Sequence, residues 1–142
     1  MAQSQVFIAA AKRTPFGAFG GALKSHTGAH LGGLASKAAL AQLPQGVKVD
    51  STIFGAVLHS DPSAPYTARH VGHHAGLPVT VPAVTVNRLC TSGYETIVRA
   101  AHEIKLGESN VVLTGGTENM SLSPCQSLAP SASGCTDKLA KS

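Results

Sequence analysis

The chain has no tryptophan, two tyrosines and four phenylalanines among its 142 residues. With aromatics at 4%, few large side chains can anchor a core, so elements rich in Ala and Gly must approach one another closely. Charge is sparse as well: 13% of residues are charged, the net charge is +4, and Lys and Arg form no run. That argues against a nucleic-acid surface. No apolar run approaches the ~18–20 residues that a membrane-crossing helix needs, so no membrane association is expected. Cysteine is scarce and odd in number: Cys90, Cys125 and Cys135 include no C-x-x-C pair. A zinc ribbon or disulfide framework is therefore not expected, and a reducing compartment fits better than a secreted one.

Acidic residues are missing from the first 49 positions, which carry Lys12, Arg13, Lys24, Lys37 and Lys48. An acid-poor, basic N-terminus is one mark of mitochondrial import. Several catalytic patterns are also absent. There is no G-x-G-x-x-G or Gly-Lys-Ser/Thr phosphate loop, no H-E-x-x-H and no G-x-S-x-G, so Ser60 beside His59 and Asp61 does not read as a serine hydrolase. His70, His73 and His74 fall at i, i+3 and i+4 of an expected helix without an adjacent Cys or carboxylate. They read as a solvated face, and no metal ligand is assigned.

What is present alternates between strand and helix patterns. Val6 to Ala11 is a short apolar run that predicts a buried strand. Thr14 to Gly21, with Pro15 and three glycines, predicts a loop. Leu31, Leu34, Ala38 and Ala41 mark a helix with Thr27 as N-cap and Pro44 and Gly46 as its stop. Thr52 to Leu58 predicts a second strand, Tyr66 to Ala75 a short helix, and Val81 to Val86 a third strand. Val111 to Thr114 predicts a fourth. The order β-α-β-α-β-α-β with near-continuous apolar strands implies a parallel sheet covered on both faces. From about Leu122 the composition turns to Ser, Pro and Ala, and residues 122–142 read as a disordered tail following a unit of residues 1–121.

The turn Asn87-Arg88-Leu89-Cys90-Thr91-Ser92-Gly93 stands out. A β-branched run enters it and a helix leaves it, with Tyr94, Ile97, Ala101 and Ile104 as the expected packed stripe. Ser92 with Glu95 reads as a capping box, and Gly107 as the helix stop. Cys90 thus falls at a strand-to-helix corner, beside the unpaired N–H groups of a helix N-terminus. Such a terminus contributes about 0.3–1 kcal/mol, too little to ionise a thiol alone, so a nucleophile at this corner needs a base. His102 is twelve residues along the same helix, roughly 18 Å away, and cannot serve. Free cysteine is among the most commonly buried residues, packing as a small hydrophobe, and on the turn alone that reading outweighs the catalytic one.

Val86-Asn87-Arg88-Leu89-Cys90-Thr91-Ser92-Gly93-Tyr94-Glu95-Thr96-Ile97 resembles the acyl-enzyme cysteine signature of the thiolases. Three further blocks extend the resemblance in order: Ala10 to Gly17, Tyr66 to Gly72, and Gly115 to Ser121. The subgroup it is most similar to is the 3-ketoacyl-CoA thiolases of mitochondrial fatty-acid β-oxidation. Thr91 departs from the smaller residue usual there, and Ala56 lies where relatives usually read Gly-Asn-Val.

The resemblance implies an incomplete thiolase-like α/β N-terminal unit, lacking the rest of that domain and the whole second domain. It implies an acyltransferase in which Cys90 takes the acyl chain of a 3-ketoacyl-CoA as a thioester. Coenzyme A then acts as a substrate, and no cofactor is bound permanently. The resemblance also implies a homo-oligomer or pairing with a full-length thiolase, and a mitochondrial location with a cytoplasmic alternative. The histidine and second cysteine that complete the chemistry fall later in thiolases, so a truncated chain of this kind is expected to be inactive alone.

Overall fold

The computed structural model describes residues 5–123. Three parallel strands, β1 (Ser51–Gly55), β2 (Ala83–Val86) and β3 (Val112–Gly116), form one sheet in the order β2-β1-β3. Three helices connect or precede them: α1 (Gly28–Leu40), α2 (Thr67–His74) and α3 (Ser92–Leu106). Thr52 pairs with Ala83 on one side of β1 and with Leu113 on the other. The central strand is buried along its whole length, as expected where both faces of a parallel sheet are covered.

The chain steps outward from β1 to β2, then back across β1 to β3. Parallel crossovers share one hand, so a reversal of direction puts the two connecting helices on opposite faces. The side chains of β1 register the result by alternating between the two layers. Thr52 and Phe54 face the α1/α2 layer, where Phe54 lies beside Gly32, Val71 and Gly115. Gly55 faces the other layer and abuts the start of α3. The apolar core is small, built around Ala29, Val49, Phe54, Ala68, Val71 and Leu113.

Local signals account for the helix ends. Thr27 Oγ1 accepts the His30 N–H at 3.1 Å and caps α1. Gly107, at φ 77°, closes α3 in the left-handed conformation that glycine tolerates best. Thr85 Oγ1 accepts the Ala68 N–H at 3.0 Å, fixing the start of α2 on β2.

Three expectations need correction. The parallel α/β architecture holds with three of the four anticipated strands: Val6 to Ala11 is not a strand, and Phe7 and Ile8 are each 77% exposed. Apolar, β-favouring residues cannot make a strand without a neighbour to take their N–H and C=O groups, and none of the described strands pairs with this segment. Ser92 is the first helical residue and Thr91 the N-cap, with no side-chain cap; Glu95 is drawn off to two arginines. Finally, Ser92, Thr96 and Ala100 are the buried residues of α3, whereas Tyr94 is 70% exposed and Ile97 is also exposed. The sheet beneath ends in Gly55 and Gly116, so the helix sits too close for anything larger than small side chains. The expected tail falls outside the described residues except for Leu122, which closes a short 3-10 turn (Met120–Leu122), and Ser123.

Candidate functional site

The site is assembled where the three strands end. In a parallel sheet the carboxyl ends of the strands open toward loops, and a crevice forms where successive connections diverge. Here the loops after β1 and β3 are tied together: Glu118 Oε2 accepts the N–H groups of Val57 at 2.8 Å and Leu58 at 3.2 Å. Glu118 lies beyond Gly115 and Gly116, which have their own constraints. A Cβ on Gly115 would fall 2.5 Å from the Phe54 ring, and one on Gly116 would fall 3.0 Å from the Gly93 Cα. Thr117 Oγ1 donates to the Gly28 carbonyl at 2.6 Å, and buried Asn119 donates to the carbonyls of Leu23 and His26. The block Gly115 to Ser121 is thus the clasp that joins α1, β1 and β3 below the loops.

Cys90 rises from the third strand end, just after β2. Its turn is held by side chains that fold back on the backbone. Asn87 Oδ1 accepts the Leu89 N–H at 3.0 Å, and the Asn87 amide donates to the Val57 carbonyl at 3.3 Å. The Ser92 hydroxyl accepts the Arg88 N–H at 2.8 Å and donates to the Leu89 carbonyl at 2.6 Å. Ser92 therefore braces the turn from inside it, in place of the capping role expected for it. Leu89, immediately before Cys90, has φ 52° and is the one non-glycine residue with positive φ among those described. A branched side chain in that conformation costs about 1–3 kcal/mol and persists because the surroundings impose it. The strain is held at the residue immediately before Cys90. Cys90 itself is exposed and has no disulfide partner among the described residues.

The electrostatics of this corner differ from the sequence picture. Arg88 donates to Glu95 at 2.6 Å and Arg99 donates at 3.1 Å. The Arg88 hydrogen bond and then its charge, with that of Arg99, hold the Glu95 carboxyl below the usual carboxylate range. Glu95 is thus ionised and neutralised by two cations, and it does not reach back to cap the helix. His102 is exposed on α3.

Histidines gather elsewhere. His26 and His30 stack with ring centroids 5.0 Å apart, and the His74 ring meets the His30 ring edge-on at 5.3 Å. His73 lies 6.0 Å from His74. The sequence showed the α2 histidines as a solvated face; it did not show that α1 delivers two more to them. Parallel rings in a stack cannot aim their in-plane lone pairs at one point. Among the described residues no group of three or more His, Cys, Asp or Glu side chains converges on a metal position. No described helix is long and apolar enough to cross a membrane. Cys125 and Cys135 lie outside the described residues.

Residues 6–140 match the family model of the thiolase N-terminal domain. The chain is 53% identical over 120 residues to human mitochondrial 3-ketoacyl-CoA thiolase, covering 84% of this chain and 30% of that protein. It is 41% identical over 129 residues to a beta-ketothiolase of Cupriavidus necator, covering 90% of this chain and 32% of the other. The crystal structure of the human mitochondrial thiolase superposes with a TM-score of 0.79 at 52% identity, over 83% of this chain and 30% of that one. A structure of the same human enzyme in complex with CoA gives the same TM-score at 48% identity, over 89% of this chain and 33% of that one. The chain spans about a third or less of the length of these relatives. By sequence and by fold it belongs to the thiolase family, within that family's N-terminal domain.

Proposed function

We propose that Cys90 is the acyl-accepting nucleophile of a thiolase-type acyltransferase acting on 3-ketoacyl-CoA in mitochondrial fatty-acid oxidation. The observation that carries the reading is the exposed Cys90 thiol at the strand end, directly after the strained Leu89. In the first half-reaction the Cys90 thiolate adds to the 3-keto carbon. The bond between carbons 2 and 3 breaks, leaving the shortened acyl chain as a thioester on Cys90. The departing acetyl-CoA carbanion takes a proton from an acid. In the second half-reaction coenzyme A attacks the thioester, releases acyl-CoA and returns the thiol.

By the thiolase resemblance, the base that deprotonates the thiol, the acid and most oxyanion donors lie beyond the stretch represented here. The 142-residue chain is therefore proposed to be inactive by itself. The test is intact-mass analysis after exposure to acyl-CoA. Without that base the exchange is expected to be slow, so it is run near pH 8.5, where about half of a free thiol is ionised. Acylation at Cys90 that is lost in Cys90→Ser supports the assignment, and a Cys90 that stays unlabelled while the other cysteines acylate overturns it.

A second reading is that the chain docks onto a full-length thiolase, or onto another copy of itself. Exposed Tyr94 and Ile97 on the outer side of α3, with Phe7 and Ile8 before α1, favour it. Unpartnered apolar surface of this kind marks interaction sites. Sedimentation of the chain mixed with full-length enzyme checks it, and unchanged profiles and activity remove it.

A further inference from the structure

The backbone hydrogen bonds of the sheet stop at its carboxyl edge. On one side of β1 the last runs from Thr117 N–H to the Gly55 carbonyl at 3.0 Å, and on the other from Ala56 N–H to the Val86 carbonyl at 3.1 Å. The Val57–Leu58 peptide lies beyond both, and side chains take its two polar groups. A trans peptide points its N–H and C=O to opposite sides, and no described peptide is cis. Leu58 N–H therefore reaches Glu118 Oε2 at 3.2 Å on the β3 side, while the Val57 carbonyl accepts the Asn87 amide at 3.3 Å on the β2 side.

From Asn87 the bonds continue without a break. Asn87 Oδ1 accepts the Leu89 N–H at 3.0 Å. The carbonyl of the same Arg88–Leu89 peptide accepts the Thr91 N–H at 3.2 Å, and that N–H belongs to the peptide that Cys90 forms with Thr91. Four hydrogen bonds thus lead from the Cys90–Thr91 peptide to the Glu118 carboxylate. Every donor in the file points toward the carboxylate. Amide dipoles in such a chain polarise one another, and a bond to an ionised acceptor is the stronger kind. The middle of the file needs a donor and an acceptor on one side chain, which the Asn87 carboxamide supplies.

From this file we infer that Glu118 and Asn87 are positioning residues for Cys90. Glu118 fixes the Val57–Leu58 peptide, Asn87 passes that orientation to the Arg88–Leu89 peptide, and Leu89 is thereby kept at φ 52° next to the thiol-bearing residue. A nucleophile acts efficiently only when held near its attack geometry. The assignment rests on the acyl-accepting role proposed for Cys90. Amide exchange and alkylation read the turn itself, whereas acyl-CoA labelling reads that role, so either can fail alone.

The test uses the complete 142-residue chain, with hydrogen exchange at the Leu89 amide and iodoacetamide labelling followed on the peptide that contains Cys90. Glu118→Asp keeps the charge and withdraws the carboxylate by one methylene. It is expected to speed Leu89 exchange about two- to ten-fold, as for the loss of one net hydrogen bond. Cys90 labelling is expected to slow about two- to five-fold as the turn moves off the helix N-terminus. The Ala68 amide, bonded to Thr85 Oγ1 at the start of α2, should exchange as before. Glu118→Gln keeps an acceptor within reach and is expected to lose less on both counts. Asn87→Ala changes an exposed side chain and leaves the core untouched. It should match Glu118→Asp, and adding Glu118→Asp to it should change neither rate further. The proposal is overturned if Glu118→Asp leaves Leu89 and Cys90 as in the parent chain, or if its effects persist undiminished in the Asn87→Ala background. It is equally overturned if Glu118→Gln loses as much as Glu118→Asp.

Discussion

Gly55 and Ser92 meet backbone to backbone: a Cβ on Gly55 would fall 2.6 Å from the Ser92 carbonyl carbon. The end of the central strand is therefore in direct contact with the first residue of α3, two residues past Cys90. This contact seats the helix, and with it the cysteine turn, on the carboxyl edge of the sheet. Gly55→Ala forces the two backbones apart and is expected to cost about 1–3 kcal/mol by the usual penalty for overpacking. Urea unfolding of the two chains measures it, and Cys90 alkylation should change in the same variant because the turn moves with the helix.

The strain at Leu89 gives the opposite sign. Leu89→Gly removes a side chain from a positive-φ position, releasing about 1–3 kcal/mol, against about 0.5–1 kcal/mol of added chain entropy. A net gain near ~1 kcal/mol in unfolding free energy is expected. An unchanged or lowered stability would show that the turn imposes little strain.

Cys90 reactivity should respond to Glu95. The carboxylate occupies Arg88 and Arg99 and places a negative charge in the first turn of α3. Glu95→Gln frees Arg88 beside the cysteine turn and removes that charge, so the anionic thiolate is favoured. Iodoacetamide should label Cys90 about two- to five-fold faster at low salt, as expected for a charge change at a helix N-terminus. The difference should shrink at high salt as screening sets in.

Acid should loosen the α1/α2 layer. Burial, followed by the charges of His30, His73 and His70, lowers the His74 pKa from 6.5. The unfolded chain then binds the His74 proton more readily than the folded one does. Stability is accordingly full above pH 6.5 and declines as pH falls below it, levelling off beneath the folded pKa. Replacing His74 by Gln should flatten that part of the stability profile, as followed by thermal melts across the pH range. A profile identical to the parent chain would mean that His74 does not contribute.

The opposing outcomes for His74 and Ser92 illustrate what local pattern can and cannot carry. His73 and His74 at the end of α2 were visible in sequence; His30 sits on another helix, and its edge-on meeting with His74 follows from how α1 crosses α2 at Gly33. Ser92 with Glu95 has the spacing of a capping box, yet Arg88 and Arg99 compete for the carboxylate and the turn takes the hydroxyl.

The order of elements from α1 onward, the Thr27 cap, the Gly107 stop and the corner bearing Cys90 were legible in the sequence, because caps and periodicity act over a few neighbouring residues. The motif blocks identified the family by the same local means. Tertiary structure alone decided which face of α3 is buried. The glycines that let the helix approach, Gly55 and Gly116, lie on other elements, and that approach admits Ser92, Thr96 and Ala100 while turning Tyr94 and Ile97 outward. It likewise decided that Val6 to Ala11 has no strand partner among the described residues and that the Thr52 hydroxyl is buried without a hydrogen-bond partner among them. Pairing and burial depend on which distant backbone lies alongside, and a linear pattern cannot specify that.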